Sequence, residues 1–587
     1  MSAPANLNAA WARALIEELC RVGVRHAVVC PGSRSAPLAL ACAALPGLRL
    51  HTAIDERCGA FLALGLAKAT FAPALVLGTS GTAGAHFYPA LLEAEASRVP
   101  LLCLTADRPP ELHGFGAPQT IDQRALFGTH VRAFVEVMIP EGTDAAFLHL
   151  RAQAARAAQA ALRVPRGPVH LNVPFREPLA PMPEPLPRLS PRARDGEATA
   201  PSLVVQEPAR APDEAALQRL AAEMARRGAG AIAVGPRDDQ DDLGDALDEL
   251  SRASGFPVFA DAASGLRSSA AGRFVSHADL LLRHERVASA LRPAVVLRLG
   301  GGVASKVLQQ WLDASSAFTA LLPGDGALVD AAHSASICIE GDAAQACRSL
   351  AGHLRALRGA DAPGERRALA LRADAMAAEV LAQHSEGGPL DEPRLAWSVA
   401  RALPAGALLF VASSMPVRDV DAFAGALPGV RILASRGVNG IDGMVSTAAG
   451  AALGSGRPTA LLCGDLALLH DLGGLVAARR AGANLAVVVA NNDGGGIFHF
   501  LPLHGLTDRF EELFATPHGL DLAHAAALAS ARLHRPATSS ELRTALAGSL
   551  GGGLHLIEVR TERRGNVAAH RDAQGRVLAA LESLPWS

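Results

Sequence analysis

The chain has 587 residues, which is too long for one hydrophobic core and is typical of three or four domains of roughly 100 to 200 residues each. Half of the residues are hydrophobic, only 4% are aromatic, and the formal net charge is −2. This composition favours a large α/β protein. It argues against a nucleic-acid-binding protein, because the sequence has no long block of Lys and Arg.

The cysteines and the N-terminal residues indicate where the protein works. Eight cysteines are scattered along the chain without a C-x-x-C pair or zinc-ligand spacing, so we expect reduced core residues. Trp11, Leu15 and Leu19 predict an amphipathic helix rather than a signal or transit peptide. No apolar run reaches the roughly 18 residues of a membrane span. We therefore expect a cytoplasmic protein that binds no membrane.

Short apolar runs typical of buried strands alternate with helix-length stretches along most of the chain. Residues 181–213, rich in Pro and Arg, lack this periodicity and predict a linker. The pattern predicts an α/β fold with three doubly wound parallel-sheet domains, whose ligands bind beyond the carboxyl ends of the strands. The predicted domains are residues 1–180, 214–385 and 386–587.

In the last domain, two successive predicted strands end in oxygen-bearing side chains. Asp465 ends TALLCGD, Asn492 ends LAVVVANN 27 residues later, and a glycine run begins at Gly494. A strand, its helix and the return strand take about this length, so both side chains should reach the same sheet edge. Mg²⁺ prefers one or two protein oxygen ligands together with phosphate oxygens and water. Asp465, Asn492 and Gly494 therefore form a candidate site for Mg²⁺ and a diphosphate.

A simpler interpretation of the same residues is also open. Asp465 could cap a helix that begins at Leu466, and the glycine run could be only a turn. However, Gly-Asp after one apolar strand and Asn-Asn after the next resembles the signature of thiamine-diphosphate enzymes. The usual Gly-Asp-Gly reads Gly-Asp-Leu here.

This resemblance implies thiamine diphosphate with Mg²⁺ or Mn²⁺ as cofactors. It also implies a glutamate placed against N1′ of the cofactor's pyrimidine, where it promotes removal of the thiazolium C2 proton. Glu56 fits that role because it begins an alanine-rich helix after the strand-like run LRLHTAI. A glutamate in a first helical turn also complements the helix dipole, so the position alone does not require a catalytic role.

Seven segments carry a narrower resemblance. They are CPGSRSAPLAL (30–40), DERCGAFLALGLAK (55–68), GTSGTAGAHFYPALLEA (78–94), LTADRPPELHGFGAPQTIDQ (104–123), SSMPVRD (413–419), SRGVNGIDGMVSTAAG (435–450) and NNDGGGIFHFLP (491–502). Together they resemble the family of 2-succinyl-5-enolpyruvyl-6-hydroxy-3-cyclohexene-1-carboxylate synthases. This resemblance implies pyrimidine-binding, central Rossmann-like and diphosphate-binding domains in chain order. It further implies a homodimer or homotetramer with active sites at the subunit interface.

The family decarboxylates 2-oxoglutarate and adds the succinyl carbanion to isochorismate in menaquinone biosynthesis. Such substrates carry several carboxylates, which the guanidinium fork of arginine matches with two hydrogen bonds. The resemblance implies three groups of substrate-binding residues: Ser33, Arg34, Arg108, Gln119 and Lys306 around isochorismate, Ser414, Arg418 and Arg436 around the succinyl portion, and Ile497, Phe498 and Leu501 as an apolar wall. Ile441 matches the residue that supports the bent form of the cofactor. Pro118 and Val307 depart from the family pattern, in which Asn and Arg are found.

Three other interpretations stay open. Another thiamine-diphosphate lyase or a 2-oxoacid decarboxylase would share Glu56, Asp465 and Asn492 but would not need four arginines. A catalytically inactive regulatory subunit would usually lose one of those three residues. A nicotinamide site at LRLGGGVAS (297–305) would need the full G-x-G-x-x-G spacing, and Ser305 interrupts it.

Overall fold

Three parallel β-sheets organise the chain in a computed structural model that describes residues 5–196, 200–206, 209–238, 242–326 and 328–584. The first sheet contains β1 (His26–Val29), β2 (Arg49–Thr52), β3 (Ala74–Gly78), β4 (Leu101–Asp107), β5 (Ala133–Glu136) and β6 (Val169–Pro174). The second contains β7 (Gly230–Val234), β8 (Val258–Ala260), β9 (Val295–Leu299), β10 (Phe318–Leu321) and β11 (Ala335–Cys338). The third contains β12 (Leu408–Val411), β13 (Arg431–Ala434), β14 (Thr459–Gly464), β15 (Leu485–Asn491), β16 (Arg532–His534) and β17 (Leu554–Arg560).

The strand orders make all three sheets doubly wound. They are β2-β1-β3-β4-β6-β5, β11-β10-β9-β7-β8 and β13-β12-β14-β15-β17-β16, and every pairing is parallel. The first and third sheets have the same topology, and in each sheet the order reverses beside its first strand. The predicted fold class, three α/β units with parallel sheets, is confirmed.

Helices connect the strands, as parallel pairing requires. They are α1 (Leu7–Arg21), α2 (Ala36–Ala44), α3 (Glu56–Thr70), α4 (Tyr88–Ala96), α5 (Asp144–Leu162), α6 (Pro191–Asp195), α7 (Glu214–Arg227), α8 (Leu243–Ser254), α9 (Ala278–Leu281), α10 (Glu285–Ala290), α11 (Lys306–Asp313), α12 (Ala343–Arg358), α13 (Glu365–Ser385), α14 (Glu392–Ala402), α15 (Met415–Asp419), α16 (Met444–Ser455), α17 (Asp465–His470), α18 (Leu472–Ala481), α19 (Ala523–Leu528), α20 (Ser539–Ser549) and α21 (Arg563–Leu581). No helix within the described ranges is both long and apolar enough to cross a membrane.

By contact, the chain forms two compact units. The first takes in residues 1–208, 442–456 and 470–484, and the second takes in residues 209–441, 457–469 and 485–587. The first unit therefore contains the first sheet together with α16 and α18, and the second unit contains the other two sheets.

Within the first unit, α3 and α16 cross with their backbones in direct contact. A Cβ on Gly65 would lie 1.9 Å from the carbonyl oxygen of Thr447, and a Cβ on Gly450 would lie 2.0 Å from that of Leu62. Only glycine permits such an approach. The crossing holds α3, whose residues from 58 to 69 are all buried, and α3 begins at Glu56.

Within the second unit, the register of β14 and β15 places the predicted ligands side by side. Gly464 pairs with Ala490 in the parallel ladder, so the residues that follow each strand leave the sheet at the same edge. Both strands are almost fully buried, and alternate residues of each face a core built with α14 and α20.

Four strands, β5, β6, β10 and β16, were not predicted from the sequence. β5 and β16 are short edge strands with several partly exposed residues, so they lack a continuous apolar run. β10 spans only four residues. β6 is buried, but His170 and Asn172 break its apolar pattern; they are tolerated because Thr105 Oγ1 lies 2.7 Å from His170 Nε2 and donates to Asn172 Oδ1 at 2.9 Å.

The predicted linker, residues 181–213, lies partly outside the described residues. Its described part is mostly without regular structure but contains the short helix α6. Ser190 caps this helix, and Pro191 occupies its first position.

Candidate active site

Asp465 stands at the end of β14 and is also the first residue of α17. Its Oδ1 accepts the amide of Leu466 at 2.7 Å, and its Oδ2 accepts the amide of Gly494 at 2.8 Å. His518 Nε2 lies 3.3 Å from the same Oδ2. Burial raises the pKa of Asp465, whereas these hydrogen bonds act in the opposite direction. The Asp465 carboxylate is therefore buried and fixed by hydrogen bonds to both oxygens, an arrangement that suits a ligand to a cation.

Asn492 lies just beyond β15, and only the nitrogen end of its side-chain amide has a hydrogen-bond partner among the described residues. Its Nδ2 donates to Glu392 Oε1 at 2.7 Å. Its Oδ1 is buried and accepts no hydrogen bond from any described residue. A buried amide oxygen without a donor is costly in a protein interior, unless a ligand supplies the missing partner.

Gly494 shapes the loop that follows Asn492. Its φ of +137° is rarely accessible to other residues, and a Cβ here would lie 2.2 Å from the carbonyl oxygen of Ala515. Asp493 stiffens the loop by accepting the amides of His518 at 3.0 Å and Gly519 at 2.7 Å. Arg563 donates to the carbonyl oxygen of Asn492 at 2.7 Å. The loop is therefore fixed from several sides.

This donor set suits a hard divalent cation. It offers one carboxylate, one amide oxygen and the carbonyls of a tight glycine loop, and Mg²⁺ prefers such oxygen ligands. Across the described part of the chain, no group of three or more His, Cys, Asp and Glu side chains could hold a metal ion.

Glu392 is a functional candidate that sequence reasoning missed. It is the first residue of α14, is only 2% exposed, and accepts hydrogen bonds from Asn492 and from Asn566 Nδ2 at 2.7 Å. Burial, together with nearby Asp419, raises the pKa of Glu392 to about 7, and the two amides act in the opposite direction. In the sequence it looks like any glutamate in a first helical turn, so local pattern carried no signal.

Two arginines of the predicted succinyl site lie close together in the second unit. Arg418 lies on α15 and donates to the carbonyl oxygen of Ser414, which has a left-handed φ of +73°. The surrounding protein and then the charge of Arg436 lower the pKa of Arg418, although the residue remains open to solvent. The Nε of Arg436 is buried and donates to none of the described residues. A buried guanidinium nitrogen without an acceptor, beside a second arginine charge, favours a bound anion.

Lys306 also lies in the second unit. It is the exposed first residue of α11, and the preceding Ser305 donates to Asp279 Oδ2 at 2.7 Å. Asp279 is among the charges that act on Arg418. Lys306 therefore belongs to the second unit, and its assignment to the isochorismate region stays a prediction.

The predicted apolar wall follows the glycine loop. Ile497 and Phe498 belong to the single helical turn Gly496–Phe500 and are half-buried, and Leu501 is 41% exposed. The ring of Phe498 packs 6.1 Å from that of Phe514. Ile441, predicted to support the cofactor, is half-buried. These exposed apolar surfaces are available to a ligand.

In the first unit, Arg34 and Arg108 form a second pair of arginines. Arg34 Nη1 donates to the carbonyl oxygen of Phe175 at 3.0 Å, and its buried Nε donates to no described residue. Arg108 donates to Ser80 and to the carbonyl oxygen of Gln119 at 2.9 Å. Burial and then the charge of Arg34 lower the pKa of Arg108, whereas Asp107 and Glu177 act in the opposite direction. Arg34 Nη2 also forms an ion pair with Glu177 Oε1 at 3.0 Å.

Ser33 and Gln119 are exposed at this end of the first sheet. Gln119 has a left-handed φ of +53° and packs on Gly81, where a Cβ would lie 3.3 Å from the carbonyl oxygen of Gln119. Pro118, the departure from the family pattern, is exposed beside it. The structure thus brings Arg108 and Gln119 into contact, and their role in substrate binding stays a prediction.

Glu56 begins α3 in the same unit. The preceding Asp55 caps the helix by accepting the amides of Arg57 at 2.8 Å and Cys58 at 3.3 Å, so Glu56 is not needed as the cap. The Glu56 side chain is half-buried and lies near Cys30. Burial is the main cause that raises the pKa of the Cys30 thiol, and the charge of Glu56 raises it further.

Comparison with known proteins follows the same domain order. Residues 10–126 match the N-terminal TPP binding domain of thiamine pyrophosphate enzymes, residues 203–411 match the middle domain, and residues 420–559 match the C-terminal TPP binding domain. The fold and the sites thus define a thiamine-diphosphate-dependent enzyme.

Relatives that match the full length of the chain identify the family within the thiamine-diphosphate-dependent enzymes. Proteins named 2-succinyl-5-enolpyruvyl-6-hydroxy-3-cyclohexene-1-carboxylate synthase are similar to this chain along almost its whole length. The protein from Myxococcus xanthus is 53% identical, with 100% of both chains covered. Those from Geobacillus kaustophilus (96% of both chains covered) and Chloroflexus aurantiacus (97% of this chain and 96% of the relative) are each 43% identical. The chain belongs to this synthase family, and the predicted resemblance is confirmed.

Proposed function

We propose that the protein decarboxylates 2-oxoglutarate and adds the succinyl group to isochorismate, giving 2-succinyl-5-enolpyruvyl-6-hydroxy-3-cyclohexene-1-carboxylate for menaquinone biosynthesis. The observation that carries this proposal is that each unit holds a predicted substrate arginine whose buried Nε donates to no described residue, Arg34 in the first unit and Arg436 in the second. The charge of Arg34 acts on Arg108, and that of Arg436 acts on Arg418. Substrates with several carboxylates need such pairs. A decarboxylase acting on pyruvate would not.

The cofactor part of the proposal rests on the strand-end residues. Asp465, Asn492 and a carbonyl of the Gly494 loop would hold Mg²⁺ or Mn²⁺ on the diphosphate, and the unused Oδ1 of Asn492 supports this. Glu56 would accept a hydrogen bond from the protonated pyrimidine, and Ile441 would pack against the bent cofactor. When bound, thiamine diphosphate supplies an acidic C2 carbon and an electron sink for decarboxylation.

The protein's own residues would bind and orient the substrates. Arg418 and Arg436, with Ser414, would hold the carboxylate of the succinyl portion that persists after CO₂ leaves. Ile497, Phe498 and Leu501 would line its methylene carbons and exclude water.

The isochorismate part of the proposal uses the other pair of arginines. Arg34 and Arg108, with Ser33 and Gln119, would bind the carboxylates of isochorismate, and Lys306 would add a further positive charge. We also propose a homodimer or homotetramer as the active form and a cytoplasmic location. Light scattering of the purified protein tests the assembly directly.

The decisive experiment is mass spectrometry of the product. Purified protein is incubated with 2-oxoglutarate, isochorismate, thiamine diphosphate and Mg²⁺, and a parallel reaction receives pyruvate in place of 2-oxoglutarate. The proposal predicts the succinylated cyclohexene product only in the first reaction and only when cofactor and metal are both added. Consumption of pyruvate with no turnover of 2-oxoglutarate would instead identify another thiamine-diphosphate lyase.

An inactive regulatory subunit is the non-enzymatic alternative. Calorimetric titration with thiamine diphosphate, in the presence and absence of Mg²⁺, separates the two cases. Metal-dependent binding supports the enzyme, whereas failure to bind the cofactor at all would favour the regulatory role.

A further inference from the structure

Glu392 forms the centre of a buried hydrogen-bond network behind the candidate metal site. Its two carboxylate oxygens accept the side-chain amides of Asn492 and Asn566, both at 2.7 Å, and Oε1 also lies 3.3 Å from the hydroxyl of Thr561. The residue is 2% exposed. Asn492 is 100 residues distant in sequence, so tertiary structure alone brings the two together.

This contact decides which end of the Asn492 amide faces the candidate site. The amide carries a donor nitrogen and an acceptor oxygen of nearly the same shape, and neighbouring groups choose between its two orientations. Glu392 Oε1 accepts the Nδ2 of Asn492 at 2.7 Å, so the nitrogen end of the amide is turned toward Glu392. The oxygen is then directed away from Glu392, buried and without a donor among the described residues.

The preceding residue provides an internal comparison. Asn491 makes the same kind of contact, since its Nδ2 donates to the buried Glu558 at 2.7 Å. Its Oδ1, however, accepts the amide of Asp493 at 3.1 Å. The protein therefore satisfies both ends of Asn491 but only the nitrogen end of Asn492, although both asparagines are held by buried carboxylates.

The network extends from Asn566 to the predicted succinyl site. The carbonyl oxygen of Asn566 lies 2.9 Å from His570 Nδ1, and His570 Nε2 lies 2.8 Å from Asp419 Oδ1. Asp419 directly follows Arg418 on α15. All of these groups are buried except Arg418.

We infer that Glu392 is a positioning residue that orients the Asn492 amide so that its oxygen, rather than its nitrogen, binds the divalent cation. The inference rests on the proposed function, because it takes the metal site as given. Partners of this kind behind metal ligands typically change metal affinity by about 10- to 100-fold when they are removed.

The test measures Mn²⁺ binding to the full-length protein by electron paramagnetic resonance at saturating thiamine diphosphate. Glu392→Ala should weaken Mn²⁺ binding by about 10- to 100-fold. Glu392→Gln should show a smaller loss, about fivefold, because its amide can still accept from Asn492 in one of two orientations. In steady-state assays of both variants, the Mg²⁺ concentration for half-activation should rise while kcat at saturating Mg²⁺ stays near the wild-type value.

Glu558→Ala and Glu558→Gln are the matched controls. They remove an equally buried carboxylate from the neighbouring asparagine, and we expect Mn²⁺ affinity to stay within about threefold of wild type even if thermal stability falls. Wild-type affinity in both Glu392 variants would overturn the inference, as would equal losses in the Glu558 variants. If Glu392→Ala does not fold, Glu392→Gln decides alone. Absence of Mn²⁺ binding in the wild-type protein would refute the proposed metal site itself.

Discussion

Replacement of Gly450 by alanine tests how closely α3 and α16 approach each other. Alanine is normally the better helix former by about 1 kcal/mol, so the substitution should stabilise an isolated helix. Here the added Cβ would lie 2.0 Å from the carbonyl oxygen of Leu62 and 2.9 Å from the amide nitrogen of Leu66. The propensity gain and the collision therefore have opposite signs.

The distances decide which effect is larger. The two helices must separate by at least about 1 Å before the Cβ reaches even a tight contact. The obstacle is backbone, so no side-chain rotation can relieve it. Overpacking of this severity costs about 3 kcal/mol or more, and after the gain in propensity we expect a net loss of about 2 kcal/mol. That loss corresponds to a fall of about 4 to 8 °C in the melting temperature of a unit of this size.

Gly575→Ala is the matched control. Gly575 is an exposed position on α21, and no heavy atom of the described residues outside its own helix lies within 4 Å of where a Cβ would stand. Calorimetry of both variants should show a lower melting temperature for Gly450→Ala and an unchanged or higher one for Gly575→Ala. If both variants gained stability, the backbone contact between α3 and α16 would not exist as described.

Three further predictions concern the sites and the buried histidines. Glu56→Gln should lower kcat by about 10² to 10⁴-fold with thiamine diphosphate binding retained in calorimetry, and near-normal turnover would remove its assigned role. Arg418→Ala should raise the KM for 2-oxoglutarate roughly 10- to 100-fold in a decarboxylation assay, whereas Arg286→Ala, at an exposed arginine, should not. Burial lowers the pKa of His26 to about 4 and of His170 to about 3. As the pH falls from 7 to 5, unfolding should thus become easier, by roughly 2 kcal/mol for His170 and by less for His26, because the unfolded imidazoles take up protons first. His170→Gln should remove the contribution of His170.

Local pattern was enough to locate the strand ends. β14 and β15 are apolar runs of ordinary length, their spacing admits one helix, and parallel pairing then brings the two carboxyl ends to one edge. Asp465 and Asn492 could therefore be named before any coordinates were considered. The residues that complete the site could not, because Glu392, His518 and Arg563 reach it from 100, 53 and 71 residues away along the chain.

The four arginines show a related limit of prediction from sequence. Motifs identified Arg34, Arg108, Arg418 and Arg436, but no sequence pattern says that two charges repel each other or that a guanidinium nitrogen lacks an acceptor. Those properties depend on burial and on partners from distant segments, such as the contact of Arg34 with the carbonyl oxygen of Phe175. For Lys306, grouped with Arg34 by resemblance, the local structure gives only the contact of the preceding Ser305 with Asp279 Oδ2.

Asp465 shows why the simple and the functional interpretations of a strand-end carboxylate need not exclude each other. One oxygen accepts the Leu466 amide at the start of α17, as a helix cap would, and the other accepts the amide of Gly494 in the metal-site loop. A helix start directly after a parallel strand also has a positive dipole end, which favours a bound anion such as a diphosphate. The two hydrogen bonds of Asp465 therefore stabilise the loop and also hold the carboxylate where it could bind the metal ion of a diphosphate. Helix-capping geometry at such a position is thus not evidence against a ligand site.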